Sequence, residues 1–224
     1  MGLPRNYLKS AENAIASYDY YDLAEKTGKQ LFYGAAQAIS GQTLYVLTQN
    51  QIYSSPAKIE ITTLSTSGAG YYKDIDLDFD LTAFNAPQAI RGTAIINFQT
   101  DLNAVGTDSE CAFYFKTKLR KWNPTTSTET EIAEAITPNI GGASGSEALN
   151  SIPIVIPKTS FKRGEILRLT MEGWANEIIP GNHYRISLGT DPMNRDGTYI
   201  IPSTDTNPIT TTQLKIWVPF NLDL

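Results

Sequence analysis

The sequence has 224 residues, a formal net charge of −5 and only 18% charged residues. An acidic balance without a basic stripe argues against nucleic acid as a partner, and a single cysteine, Cys111, excludes an internal disulfide framework. No apolar run approaches the length needed to cross a bilayer, so a membrane is not expected as a partner either.

Residues 1–35 predict an N-terminal arm of low regularity. The first residues lack the apolar core of a secretion signal, so we expect a protein that is made in a cytoplasm. A tyrosine-rich stretch follows, with Tyr18, Tyr20 and Tyr21 close together. Arms of this kind often become ordered when a subunit is assembled, which makes these tyrosines candidate contacts. The alternative is a tail without a role.

From Thr43 onward the sequence predicts successive strands, and the clearest one covers residues 74–81. Its residues alternate strictly, with apolar side chains on one face and carboxylates on the other. The carboxylate ladder consists of Asp74, Asp76, Asp78 and Asp80. A further strand over residues 92–99 follows. The strand over residues 111–121 is predicted to turn Cys111, Phe113 and Phe115 inward and a basic ladder, Lys116, Lys118 and Arg120, outward.

The second half continues the same pattern. Alternating isoleucines predict a strand over residues 152–156, and Pro153 within it indicates the edge of a sheet. Further strands are predicted over residues 166–174, 184–188 and 214–220, and a long flexible loop over residues 137–151. About eight to ten antiparallel strands without a convincing interior helix favour an all-β, jelly-roll-type sandwich, with residues 36–224 as one domain.

The inventory of reactive side chains predicts a protein that is not an enzyme. The sequence has one histidine, His183, which follows a turn, and one cysteine on the apolar side of a predicted strand. A Ser-His-Asp arrangement would need His183, and no nucleophile elbow is present. Zinc sites need three or four nitrogen or sulfur ligands. We therefore expect neither a catalytic site nor a cofactor nor a metal.

Two acidic segments resemble calcium sites in composition but not in spacing. The ladder that begins at Asp74 lacks the glycine and the closing glutamate of an EF-hand loop, and its alternation is typical of a strand. Residues 191–197 form an acidic turn whose spacing matches no standard ion-binding loop. Neither segment predicts a bound ion.

The opposite charges of the acidic and basic ladders suggest that the two ladders attract each other. Two strands with outer faces of opposite charge could pair side by side or across a subunit boundary, where each exposed pair would contribute about 0.2–1 kcal/mol. Such ladders set register and orientation more than affinity. The alternative is that both ladders are solvated outer faces.

Three tryptophans support a different hypothesis. Trp122, Trp174 and Trp217 all fall on the face opposite the inferred core. Exposed aromatic rings stack on sugars or fill pockets of a protein partner, so a carbohydrate-binding or receptor-binding module is the alternative function. The tryptophans could equally be covered by the arm or by loops of the same chain.

The C-terminal half carries a family resemblance. Residues 161–170, FKRGEILRLT, resemble a strand entry of small β-sandwich virion proteins. Residues 191–198, 202–205 and 214–220 resemble the C-terminal block of structural proteins in tailed bacteriophages, and residues 3–10 are similar to their N-terminus. The resemblance implies a virion component, such as a capsid decoration protein or a minor capsid protein. These motifs concern packing and turns, not a binding site.

The resemblance implies that the chain is made in the host cytoplasm and located in the virion. It also implies partners: other copies of the chain, with a trimer suggested by analogy, and other virion proteins such as the major capsid protein. The alternative remains a glycan- or receptor-binding module of a phage fibre or tail. The residues proposed for the interface are Tyr18, Tyr20, Tyr21, Asp74, Asp76, Asp78, Lys116, Lys118, Arg120 and Trp217.

Overall fold

The computed structural model describes residues 16–17, 27–39, 41–63, 70–105, 111–142, 146–177, 183–195 and 212–221. These residues form thirteen strands and no helix: β1 (Ala16–Ser17), β2 (Thr27–Ile39), β3 (Gln42–Thr48), β4 (Lys58–Thr63), β5 (Tyr72–Leu81), β6 (Gln88–Val105), β7 (Cys111–Asn123), β8 (Thr128–Ile136), β9 (Ile140–Gly142), β10 (Ser146–Phe161), β11 (Ile166–Glu177), β12 (His183–Gly189) and β13 (Leu214–Asn221). Within this part of the chain no helix is long and apolar enough to cross a membrane.

The first layer, which we call sheet 1, is built around the long strand β6. One edge of β6 pairs with β10, and the other edge pairs with β13 over its first half and with β12 over its second half. Strand β13 also pairs with β2, which in turn pairs with β3, and β12 also pairs with β4. All of these pairings are antiparallel.

The second layer, sheet 2, has the strand order β5–β11–β7–β8, with β9 also paired to β7. Its pairings are antiparallel as well. The two layers are joined at one side by a short parallel pairing between β3 and β5, in which Val46 lies opposite Asp80 and Leu47 opposite Leu81. The all-β sandwich that the sequence predicts is confirmed.

The inner faces of the two sheets pack against each other. Phe98 of β6 and Phe115 of β7 belong to different sheets, and their ring centroids lie 5.4 Å apart. The alternating residues Ile75, Leu77 and Phe79 of β5 are buried in the same core. Burying one such side chain contributes about 1.5–3 kcal/mol, against about 0–1 kcal/mol for an exposed ion pair. The inner face therefore fixes the register of these strands.

Several boundaries differ from the sequence-based expectations. The described residues contain thirteen strands instead of eight to ten, and the strands that were not predicted include β2, β8 and β9, which lack a clear alternation. The loop expected over residues 137–151 is interrupted by β9, and its last residues open β10. The expected edge position of Pro153 is confirmed, because β10 pairs only with β6 among the described strands.

The predicted arm is too long at its C-terminal end. Residues 27–35 belong to β2, which lies between β13 and β3, and Phe32 and Ala35 are buried there. Four of the first seven residues of β2 are Thr27, Gly28, Lys29 and Gln30, so the apolar alternation that signals a strand is absent. Of residues 1–26, the structure describes only Ala16 and Ser17, which pair with β2.

Candidate interaction surfaces

The outer face of sheet 2 carries most of the charged residues proposed for an interface. Strand β11 lies between β5 and β7, so the acidic and basic ladders are not neighbours. Thr170 of β11 is paired with Asp78 on one side and Lys118 on the other. The prediction that the two ladders pair side by side is therefore wrong, because a third strand separates them and supplies charges of its own.

Arg168 of β11 is the first of these charges. Its guanidinium donates two hydrogen bonds to Asp80, at 2.6 and 2.8 Å, and further bonds to Asp78 at 3.2 Å and Glu129 at 3.1 Å. The pKa of Arg168 lies above its usual value. The largest cause is the hydrogen bond with Asp80, and attraction to the charges of Asp80 and Asp78 adds to it. The guanidinium also lies 4.8 Å from the ring centroid of Trp122, a cation–π distance.

Glu172 is the second charge that β11 supplies. Its side chain is only 5% exposed and accepts hydrogen bonds from Lys118 Nζ at 2.7 Å and from Trp174 Nε1 at 3.0 Å. Burial alone would raise the pKa of Glu172, but the bonds from Lys118 and Trp174 outweigh it, so the pKa lies below its ordinary value. Arg120 lies 3.8 Å from the same carboxylate.

The remaining ladder charges also have partners within the chain. Arg120 pairs with Glu129 at 2.8 Å, Lys116 with Glu134 at 3.9 Å, and Lys73 with Asp76 at 2.5 Å. Strand β8 thus supplies carboxylates to the basic ladder from the side opposite β11. The charges of this face form a network that stabilises one subunit.

The three tryptophans are divided between the two sheets. Trp122 lies beneath Arg168, whereas Trp174 stacks with Tyr114, their ring centroids 6.2 Å apart and their planes within 4°. Tyr71 contacts Tyr114 at 5.0 Å. Burial raises the pKa of Tyr114, with smaller contributions from Tyr71 and Glu172. Trp217 is on sheet 1, so the structure does not bring the three tryptophans together.

A transverse apolar row crosses the outer face of sheet 1 at Trp217. Residues that lie opposite each other in neighbouring strands point to the same face. Pro153 of β10 is opposite Ile95 of β6, Ile95 is opposite Trp217 of β13, and Trp217 is opposite Leu31 of β2. Pro153 is exposed and the other three are half-buried. We call these four residues the Trp217 row.

One cleft of about 640 Å³ opens at an end of the sandwich. Its apolar lining includes Phe32, Phe84 and Phe220, whose rings contact each other: Phe220 lies 6.0 Å from Phe32 and 6.2 Å from Phe84. Its polar lining includes a set of five carboxamides, and no charged side chain occurs among the described residues that line it. The carboxamides are Gln30, Gln49, Asn50, Asn85 and Gln88.

The acidic turn that begins at Asp191 is stabilised by hydrogen bonds to the carboxylate of Asp191. Asp191 is fully buried and accepts hydrogen bonds from the backbone N–H of Met193 at 3.2 Å, from the backbone N–H of Arg195, and from Arg195 Nη2 at 3.0 Å. Both carboxylate oxygens are therefore engaged within the turn. Across the described residues, no three His, Cys, Asp or Glu side chains are grouped so as to hold a metal ion.

Some of the predicted site residues fall outside these surfaces. Tyr18, Tyr20 and Tyr21 lie outside the described residues, so their role in an interface stays a prediction. Cys111 begins β7 and His183 begins β12, where the structure describes their backbone alone. Sequence reasoning missed Arg168 and Glu172, although the predicted inward positions of Leu167, Leu169 and Met171 already imply that 168 and 172 face outward.

Comparisons with known proteins give structural likeness only. No family model and no curated protein matches the chain. A CocE/NonD family hydrolase from Staphylococcus aureus aligns at 12% identity and a TM-score of 0.49, covering 88% of this chain and 37% of the hydrolase. An α-amino acid ester hydrolase aligns at 11% identity and a TM-score of 0.49, covering 84% of this chain and 36% of the other. This chain thus spans little more than a third of either hydrolase.

A viral structure aligns at a lower score. The infectious bursal disease virus Gx strain structure matches at 8% identity and a TM-score of 0.33, covering 97% of this chain and 53% of the viral chain. The hydrolase matches contradict the expectation that the chain is not an enzyme. Because every one of these TM-scores is below 0.5, the likeness carries no argument for a particular reaction.

Proposed function

We propose that the chain is a structural subunit of a viral particle and binds further copies of itself through the outer face of sheet 1. The observation that carries this proposal is the Trp217 row, in which apolar residues of four neighbouring strands are aligned on one outer face. The phage-like segments over residues 161–170 and 214–220 support the virion location.

The surroundings of the row extend the apolar surface to the edge of the sheet. Val155 and Leu149 of β10 alternate with the buried Ile152, Ile154 and Ile156, and they are 75% and 60% exposed. Exposed apolar side chains that cluster on one face are typical of protein contact sites. Tryptophan is also among the residues that contribute most to binding when a contact buries them.

A second copy is the occupant that we propose for this face. The Trp217 row carries no charge, so two copies can meet across it without placing like charges in contact, provided that Lys215 and Lys29, which lies two residues before Leu31 on the same face, stay at the rim. Lys215 lies two residues before Trp217 and opposite Asn97 on the same face. Closed symmetric assemblies of one subunit are the commonest oligomers. On the outer face of sheet 2, Lys118, Arg120 and Asp80 already have partners within the chain.

Val155→Asp tests this proposal. A carboxylate at this exposed position costs the isolated subunit little, but it would have to be buried in the contact, which is unfavourable for an unpaired charge. We expect the wild-type chain to sediment as an oligomer and the variant to associate at least about tenfold more weakly. The control is Thr130→Asp, the same change of charge on the exposed strand β8 of sheet 2. Sedimentation velocity over a range of concentrations measures both.

Two results would contradict the proposed contact: a wild-type chain that stays monomeric at every soluble concentration, or equal effects of the two aspartate variants. The virion location has its own test. Mass spectrometry of purified particles is expected to find the chain among the particle proteins after host proteins have been removed by density-gradient sedimentation. Its absence from the particles would reject that location.

A further inference from the structure

We infer that the cleft at the end of the sandwich binds a neutral oligosaccharide. This inference does not depend on the proposed contact, because no residue of the Trp217 row lines the cleft. Only Gln30 and Phe32, the sequence neighbours of Leu31, belong to the lining. The cleft lies where β2, β3 and the connection between β5 and β6 meet, and its volume of about 640 Å³ is in the range of small-molecule sites.

The floor of the cleft is apolar and held in place. Phe84, in the connection between β5 and β6, donates its backbone N–H to the carbonyl of Glu165 at 3.0 Å and accepts the N–H of Gly164 at 2.8 Å. Its ring packs against Phe161 at 4.9 Å and against Phe220 at 6.2 Å. Two backbone bonds and two ring contacts thus fix the position of Phe84. Fixed rings of this kind offer the apolar face of a sugar a surface to pack on.

The polar lining indicates the chemistry of the ligand. A carboxamide supplies one acceptor and two donors, which suits hydroxyl groups that both donate and accept hydrogen bonds. Gln30 and Gln49 are joined by a hydrogen bond of 3.2 Å from Gln49 Nε2 to Gln30 Oε1, and each carboxamide has further donor and acceptor positions beyond this bond. Asn85 lies on the connection between β5 and β6, and Gln88 is the first residue of β6.

The absence of charge narrows the class of ligand. No described residue lining the cleft is charged, so a buried phosphate, sulfate or carboxylate would find no counter-charge there. A wholly apolar ligand would displace water from Asn85 and Gln88 without offering them hydrogen bonds, which is also unfavourable. A neutral sugar satisfies both conditions, because it has hydroxyl groups at its edges and C–H groups on its ring faces.

The test uses the full chain and defined oligosaccharides. Binding of cellohexaose, maltohexaose, mannohexaose and N-acetylated chitohexaose is measured by saturation-transfer NMR and then by titration of the protein resonances. Hyaluronan hexasaccharide, which shares N-acetylglucosamine with chitohexaose but carries carboxylates, is the charged counterpart. We expect at least one neutral probe to bind, with an affinity that does not change with salt, and the hyaluronan fragment not to bind.

Variants locate the site. The double variant Gln49→Ala/Gln88→Ala is expected to weaken binding about tenfold or more, whereas Asn139→Ala, an exposed carboxamide outside the cleft lining, has no effect. Melting curves check that the double variant is folded, and sedimentation checks that its association is unchanged. Failure of every neutral probe, equal binding by the double variant, or tighter, salt-dependent binding of hyaluronan would each overturn the inference.

Discussion

Glu172 shows how a single buried carboxylate organises the outer face of sheet 2. It is held by Lys118 and Trp174 and lies within reach of Arg120, so three outward side chains of β7 and β11 converge on it. Removing one partner of a buried pair is costly because the other is left without compensation. The exposed pairs of the same face contribute much less.

Glu172→Gln is expected to lower the free energy of unfolding by about 1–3 kcal/mol at neutral pH. The pKa of Glu172 is lowered in the folded chain, so its ionised form stabilises the fold above the ordinary pKa of 4.5. That contribution is lost as the pH falls through the lowered folded-state pKa. Urea denaturation should therefore show a lower free energy of unfolding for the variant than for wild type at neutral pH. At acid pH the two free energies should be equal.

Glu131→Gln is the matched control for this prediction. Glu131 is exposed on β8, where replacing a carboxylate normally changes stability by no more than about 0.5 kcal/mol. Equal losses in the two variants would contradict the special role of Glu172. So would a difference between wild type and Glu172→Gln that persists unchanged in acid.

At the scale of the strand, alternation predicted the faces of individual elements well. Residues 74–81 became part of β5 with Ile75, Leu77 and Phe79 buried, and residues 214–220 became part of β13 with Trp217 outward. Alternation is a local property, because successive side chains of any strand point to opposite faces. It can therefore be recognised without knowing which strands are neighbours.

Strand neighbours could not be predicted in the same way. The two charged ladders suggested a direct pairing, yet β11 separates β5 from β7. Which strands pair is decided by burial of the inner faces and by the connections, and these depend on residues far apart in sequence. The carboxamide cleft was missed for the same reason, since Gln30, Gln49 and Gln88 come from three separate segments and form no motif.

At the scale of the whole molecule, β2 lies in the middle of the strand order and links its two halves. It pairs with β13 on one side, which leads to β6, and with β3 on the other, which leads to β5 and sheet 2. Phe32 and Ala36 extend its inner face into the common core. Loss of β2 would therefore expose the core and break the hydrogen-bonded path between the two sheets.

Two N-terminal deletions test this role of β2. Removal of residues 1–26 takes away β1 and the three tyrosines but keeps β2, so we expect a chain that still unfolds cooperatively. Removal of residues 1–35 also takes away most of β2, including the buried Phe32, and is expected to leave a chain without fixed tertiary structure. Near-ultraviolet circular dichroism and thermal unfolding distinguish the two outcomes. A folded chain after the longer deletion would show that β2 is not required, because the remaining strands would then have closed the sandwich without it.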